Sequence, residues 1–90
     1  MMTPITLAEL RLPAQGKLRA RSIVLRYCPW MQSHVTCIVN EHANFTHEHY
    51  FLDPADVAKA WKDFYMRCRF ELVLRIETLE RTQTESESVA

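Results

Sequence analysis

Basic side chains dominate the first 40 residues of this chain. They are Arg11, Lys17, Arg19, Arg21 and Arg26, and Glu9 is the one acidic residue among them. Arginines two apart on a strand point to the same side, so Arg19 and Arg21 can bind neighbouring phosphates or carboxylates with their forked donors. Tyr27 and Trp30 follow closely and offer a stacking surface. The alternative is a solvated sheet edge, where basic residues discourage edge-to-edge association.

The charge of the chain is formally zero, with 11 Lys and Arg against 11 Asp and Glu. Five basic residues and one acid give the first 40 residues a net charge of +4, and six basic residues and ten acids give residues 41–90 a net charge of −4. Domains that bind nucleic acid directly are usually strongly basic. Overall neutrality therefore favours the solvated edge over direct nucleic-acid contact. Binding of an anionic partner, whether protein or nucleic-acid backbone, stays open, with Arg19, Arg21, Arg26 and Trp30 as the predicted contacts.

Histidines and cysteines raise the separate hypothesis of a zinc site. His47 and His49 would point to the same side of a strand, which suits two imidazoles on one metal ion. His34 and Cys37, three residues apart, would instead point to opposite faces, and the chain has no Cys-x-x-Cys pair. We therefore expect no metal and no cofactor, and keep a zinc-binding protein that uses His and Cys ligands as an alternative.

Catalysis has little support in the sequence. A nucleophilic cysteine needs a partnered base and a group that stabilises developing charge, and no spacing in the chain pairs one of its three cysteines with a base. The acids are scattered, and a single glycine excludes loops that cradle phosphate. The sequence therefore predicts a protein that is not an enzyme.

Length and composition predict one small domain. The chain has 90 residues and is 48% apolar, which is too apolar for a disordered protein. No apolar run approaches the roughly 20 residues of a membrane span, and the N-terminus lacks the pattern of a signal peptide. Three cysteines, an odd number, argue against a disulfide framework. We expect a soluble cytoplasmic domain that does not interact with membranes.

The middle of the chain has the alternation of β-strands. Residues 18–28, 34–39 and 45–51 are rich in branched and aromatic side chains and are separated by short polar or proline-containing turns. Such short connections favour an antiparallel meander of three strands. Before it, Thr3 and Pro4 are typical of a helix start, and Pro13 would end that helix. The first segment is therefore predicted to be a short helix or an extended arm.

The C-terminal part of the chain predicts one long helix. Asp53 is a typical N-cap, and Pro54 suits the first helical position. No glycine or proline follows, so the helix is expected to continue to about Arg81, with residues 82–90 forming an acidic disordered tail. One apolar stripe is expected to face the sheet: Val57, Trp61, Phe64, Cys68, Leu72, Ile76 and Leu79. A ladder of alternating charges at spacing four is expected to form weak ion pairs along the helix: Asp63, Arg67, Glu71 and Arg75.

These elements predict an α+β domain over residues 1–81, with a three-stranded antiparallel sheet packed on one long helix. The helix carries a second apolar face, formed by Met66, Phe70 and Val73. Two alternatives explain it: the first segment folds over this face through Leu7 and Leu10, or the face binds a second copy or another protein. On the second alternative, Met66 and Phe70 are partner contacts.

The layout resembles small phage-encoded anti-CRISPR proteins. The resemblance is one of architecture, through the strand-and-turn region of residues 18–51 and the sequence leading into the helix, Phe51-Leu52-Asp53-Pro54-Ala55-Asp56-Val57. It implies a non-enzymatic inhibitor, located in the host cytoplasm, that docks on a CRISPR surveillance complex and blocks target DNA or nuclease recruitment. Such a protein binds a larger protein or ribonucleoprotein complex. The alternative class is a small homodimeric regulator that binds nucleic acid.

Overall fold

Four strands form one antiparallel sheet in which each strand pairs with the next along the chain. The structure, a computed structural model, describes residues 3–89, with side chains described as far as Gln83. The elements are β1 (Ile5–Leu12), β2 (Arg21–Cys28), β3 (Ser33–Asn40), β4 (Phe45–Phe51), a 3-10 turn (Pro54–Asp56) and α1 (Val57–Val89). The sheet order is β1-β2-β3-β4, and α1 lies across one face. The predicted α+β class and antiparallel meander are confirmed.

The prediction of three strands is wrong, because the first segment forms β1. This segment is neither a helix nor a free arm. It pairs with β2 along its length, with Leu10 opposite Ile23 and Leu12 opposite Arg21. The physical reason is that Ala8, Leu10 and Leu12 recur every second residue, which places apolar side chains on the helix-facing side of an extended chain. Pairing with β2 also satisfies backbone groups that a free arm would leave to water.

The core lies between the sheet and the first half of α1. Ile23 and Leu25 of β2 are completely buried against Ala60 and Phe64 of α1. Other apolar side chains pack around this centre: Ala8, Leu10, Ile38, Phe51, Trp61 and Cys68. The opposite face of the sheet has no covering helix among the described residues. There the guanidinium of Arg26 lies 4.1 Å above the ring of Phe45.

The start of the long helix is confirmed. The carboxylate of Asp53 accepts a hydrogen bond from the backbone N–H of Ala55 at 2.9 Å, and Pro54 follows it. The helical backbone continues past Arg81 to Val89, through residues that the sequence predicts as a tail, while Ala90 lies outside the described residues. At about 1.5 Å per residue, 33 residues span about 50 Å.

The long helix makes the molecule elongated. The molecule measures 58 × 25 × 16 Å, and its radius of gyration is 16.3 Å. A compact chain of this length has a radius of gyration of about 12 Å. The elongation follows from length, since a strand of eight residues spans about 27 Å, roughly half the length of α1. Among the described residues, no helix is both long enough and apolar enough to cross a bilayer.

Candidate docking groove

The predicted apolar stripe of α1 faces the sheet only from Trp61 to Cys68, and Val57 at its start is 39% exposed. Phe64 is buried, and Trp61 and Cys68 are partly buried, as the stripe requires. Beyond them, Leu72, Ile76 and Leu79 are 44%, 54% and 57% exposed. The expectation of one continuous buried stripe is therefore wrong for the second half. The reason is geometric: the stripe winds around the helix, and the distal turns lie beyond the apolar part of the sheet.

The charged ladder takes the place of the stripe on the sheet-facing side. Glu71 and Arg75 are only 4% and 5% exposed. Their predicted ion pairs with each other and with Arg67 do not form in the structure. Instead the carboxylate of Glu71 accepts a hydrogen bond from Arg21 of β2 at 3.0 Å. Spacing of four residues correctly placed the ladder on one face, but that face points inward.

Arg75 joins the helix to the connection between β1 and β2. Its guanidinium donates hydrogen bonds to the backbone carbonyls of Pro13 and Arg19, the latter at 3.0 Å. In return, the side-chain amide of Gln15 donates to the carbonyl of Arg75 at 2.9 Å. Arg75 is itself buried, so its guanidinium needs acceptors, and the carbonyls of these two exposed residues supply them. The polar contacts of Arg75 therefore hold the distal half of α1 against the sheet.

Asp63 is the second polar anchor of the helix. Its carboxylate accepts a hydrogen bond from the hydroxyl of Thr36, lies 3.0 Å from Nδ1 of His49 and lies 3.3 Å from Nε of Arg67. Burial opposes ionisation of this carboxyl. The hydrogen bonds from Thr36 and His49 outweigh burial and hold the pKa of Asp63 below its usual value. The carboxylate therefore links α1 to both β3 and β4.

A groove of about 360 Å³ lies between these two anchors, where α1 passes over the end of β2, β3 and β4. Its apolar lining is formed by Ile23, Ile38, Met66 and Phe70, and its polar lining by Arg21, His47, Arg67 and Glu71. Met66 and Phe70 form the outer wall and are 53% and 68% exposed. We call this site the docking groove. It combines an apolar floor, an exposed aromatic wall and ion-paired arginines.

One donor in the docking groove lacks an acceptor. The side chain of Arg67 is 13% exposed, and its Nε lies near Asp63. Its Nη1 is buried with no hydrogen-bond partner among the described residues. An unsatisfied buried donor costs free energy.

The structure divides the six residues predicted as partner contacts. Arg21, Met66 and Phe70 meet in the docking groove. Arg19 lies in the adjoining hollow and forms an exposed ion pair with Glu41 at 2.9 Å. Arg26 lies on the opposite face of the sheet, and Trp30 lies in the turn after β2. The predicted basic residues therefore do not form one continuous surface, and their role as contacts stays a prediction.

Among the polar groove residues, sequence patterns did not assign Arg67, Glu71 or His47 to a partner site. Arg67 was assigned to the charged ladder, and its spacing of four from Asp63 and Glu71 was the available signal. His47 lies at an irregularity in the pairing of β3 with β4 and has a left-handed φ of 53°. No local sequence pattern reveals such a bulge. Among the described residues, no group of three or more His, Cys, Asp or Glu side chains could hold a metal ion.

Burial makes two of the three thiols poor nucleophiles. It raises the pKa of the completely buried Cys37 and of the partly buried Cys68, and all three cysteines are free. A raised pKa keeps a thiol protonated at neutral pH, and the protonated form is not the nucleophile.

Comparisons with known proteins identify no relative of this chain. No protein-family model matches it, and neither a curated protein nor a solved structure shows significant similarity to it. The architecture and the docking groove are therefore the basis for assigning a function.

Proposed function

We propose that this chain is a non-enzymatic binding protein that acts by occupying a surface of a larger protein or ribonucleoprotein complex. The docking groove receives an apolar side chain of the partner, which packs against Met66 and Phe70. The observation that carries the proposal is the outer wall of the groove. Met66 and Phe70 stay more than half exposed although they border an apolar floor.

The composition of the groove supports a protein segment as the occupant. Aromatic residues, Met and Arg are enriched in protein interfaces relative to the remaining surface. Side chains of these types form the outer wall and the polar lining. β1 lies in the sheet and leaves Met66 and Phe70 exposed, so the first segment of the chain does not fold over them. Because the first segment does not cover the second apolar face of the helix, we propose that another protein binds it.

The polar groups of the groove support binding rather than turnover. Arg21 is paired with Glu71, and Arg67 is paired with Asp63, which also holds Thr36 and His49. These groups stabilise one another and connect the helix to the sheet. A general base or nucleophile instead needs a proton or lone pair directed at a substrate.

The particular partner that the resemblance implies is a CRISPR surveillance complex in the host cytoplasm. On this proposal the groove anchors the protein on the complex and the body of the domain obstructs target DNA or nuclease recruitment. The basic residues Arg19 and Arg26 then lie outside the anchor and add contacts to guide RNA or to acidic protein surface.

Substitution of Phe70 by Asp tests the anchor. We expect Phe70→Asp to weaken partner binding by about 30-fold or more, as loss of a central aromatic contact does in other interfaces. The measurement is quantitative affinity capture from host lysate and titration of purified surveillance complexes. The matched control is Leu52→Asp, since Leu52 is similarly exposed but lies outside the groove. Equal capture by both variants would contradict the proposal, and circular dichroism checks that each variant folds.

A titration with nucleic acid alone separates the proposal from the alternative of a nucleic-acid-binding regulator. A regulator binds DNA or RNA without other proteins, and its affinity falls steeply as salt rises because bound counterions are released. We expect no such salt-dependent binding by the isolated protein. Tight binding to nucleic acid alone that Arg26→Glu abolishes would favour the regulator.

A further inference from the structure

We infer that a second copy of this chain packs along the distal half of α1 in antiparallel orientation. The contact surface is distinct from the docking groove. It consists of Tyr65, Leu72, Ile76 and Leu79, and we call it the outer seam.

The outer seam has the spacing of a helix-packing stripe. From Leu72 to Ile76 is four residues and from Ile76 to Leu79 is three, which is the alternation of a coiled-coil seam. Tyr65 continues the stripe seven residues before Leu72, with Arg69 at the intervening position. All four apolar side chains are exposed by 44% to 60% in the single chain. A soluble helix normally buries such a stripe.

The chain's own sheet does not reach the outer seam. The side of α1 that contacts the sheet in this region carries Glu71 and Arg75, which are buried and hydrogen-bonded to β2 and to the β1–β2 connection. At 100° per residue, Leu72 lies about 100° around the helix from Glu71 and about 160° from Phe70. Leu72 also lies about 60° from the buried Arg75, so the seam borders the sheet-facing side of the helix and is separate from the docking groove.

The area of the outer seam matches the needs of a dimer. Large side chains that are about half exposed each present on the order of 100 Å². With Val73 beside it, the seam offers about 500 Å² of apolar surface in each copy. A standard interface buries about 800 Å² per partner, of which roughly 65% is apolar in homodimers. The apolar area of the seam is therefore close to the apolar area that each partner buries in such an interface.

Charge at the rim selects the antiparallel orientation. Lys62 flanks the start of the seam and Arg69 lies within it, whereas Glu80 flanks its end, where Glu77 is ion-paired with Arg81 at 3.9 Å. Parallel packing would place like charges opposite each other, whereas antiparallel packing places opposite charges together. A crossing near Leu74 brings Arg69 of each copy beside Glu80 of the other and places Leu72 against Ile76.

The sheet edges are poorer sites for self-association. β1 has a register shift between Thr6 and Ala8, and the pairing of β4 with β3 shifts between Thr36 and Ile38. Bulges of this kind interrupt the row of free backbone groups that a new strand would need. The seam is accordingly the surface on which a second copy is expected.

Analytical ultracentrifugation of the full chain tests the seam. We expect a reversible dimer at micromolar concentration and expect Ile76→Asp to weaken it by at least about 30-fold, because a charge would replace a central apolar contact. Circular dichroism and thermal unfolding show whether the variant keeps its fold. Leu52→Asp is the control and leaves the dimer unchanged. A wild-type chain that stays monomeric, or a dimer that Ile76→Asp does not weaken, overturns the inference.

Charge reversal tests the orientation. Arg69→Glu and Glu80→Arg should each weaken the dimer by about 5-fold, and the double variant should restore it, because only an antiparallel pair brings these two residues together. The two residues are about 16 Å apart along one helix, which prevents direct repair within a chain. Additive weakening in the double variant overturns the antiparallel arrangement. Partner binding through Phe70 is measured separately, so the failure of one proposal does not affect the other.

Discussion

The two halves of α1 bury opposite kinds of side chain. Residues 57–68 place Ala60 and Phe64 on the apolar sheet, as an amphipathic helix should. Residues 69–83 bury Glu71 and Arg75 and expose Leu72, Ile76 and Leu79. The first half of the helix therefore buries apolar side chains, whereas the second half buries charged side chains and exposes apolar ones.

A sheet with short strands can cover only part of a long helix. The apolar centre of the sheet covers only the first turns, whereas the distal turns pass the β1–β2 connection, where the buried guanidinium of Arg75 finds carbonyl acceptors. Arg75 donates to two of these carbonyls. Polar anchoring of the distal half leaves its apolar side chains free for other molecules, and both proposals above depend on this feature.

The largest loss of stability is expected for a substitution in the proximal half of α1, residues 57–68. Phe64→Ala removes a buried ring from the core and should lower the free energy of unfolding by about 3–5 kcal/mol. Phe70→Ala is the matched control at the exposed wall of the groove, where the same substitution should cost less than about 0.5 kcal/mol. Urea denaturation measured at low protein concentration compares the two. Similar losses of unfolding free energy in the two variants would contradict the difference in burial between Phe64 and Phe70.

A smaller effect is expected for the polar anchor of the distal half. Arg75→Met keeps the aliphatic stem of the side chain but removes the hydrogen bonds to the carbonyls of Pro13 and Arg19, at a cost of about 2 kcal/mol. Arg81→Met is the control, because Arg81 is exposed and makes only a 3.9 Å ion pair with Glu77. Thermal unfolding gives both values. A neutral Arg75→Met would show that apolar contacts hold the distal half.

The smallest effect concerns Asp63, the anchor between the halves. Because its pKa is lowered in the folded state, ionised Asp63 stabilises the fold at pH values above the usual carboxyl pKa, and the stabilisation is lost as pH falls through the lowered pKa. Asp63→Asn should therefore cost about 1 kcal/mol at neutral pH. The difference from wild type should shrink below about pH 4. A difference independent of pH would contradict this role, and Asp56→Asn, whose carboxylate is near only the exposed Lys59, is the control.

Much of the fold could be predicted from the sequence because its signals are local. The alternation in residues 18–28 correctly indicated a strand, and Asp53 with Pro54 fixed the start of the helix. The first segment was harder, since prolines before and after residues 5–12 fit either a helix or a strand. Pairing with β2 decided for a strand, and that pairing is a long-range contact.

The docking groove was only half predictable for the same reason. Met66 and Phe70 were identified because their positions on the helix opposed the apolar stripe. Arg67 and His47 were not identified. The place of Arg67 in the groove depends on which side of the helix faces the sheet, and the place of His47 depends on a bulge in β4.

The amino-acid sequence alone determined the start of the helix, the two periodicities along it and the position of every charge on it. Tertiary structure alone decided which side of each half of α1 meets the sheet. Periodicity places side chains around a helix axis but does not fix the rotation or the length of overlap with a partner. Those are set by the short strands and the carbonyls at the end of β1 and β2, which turned the charged ladder inward and left the apolar side chains outside.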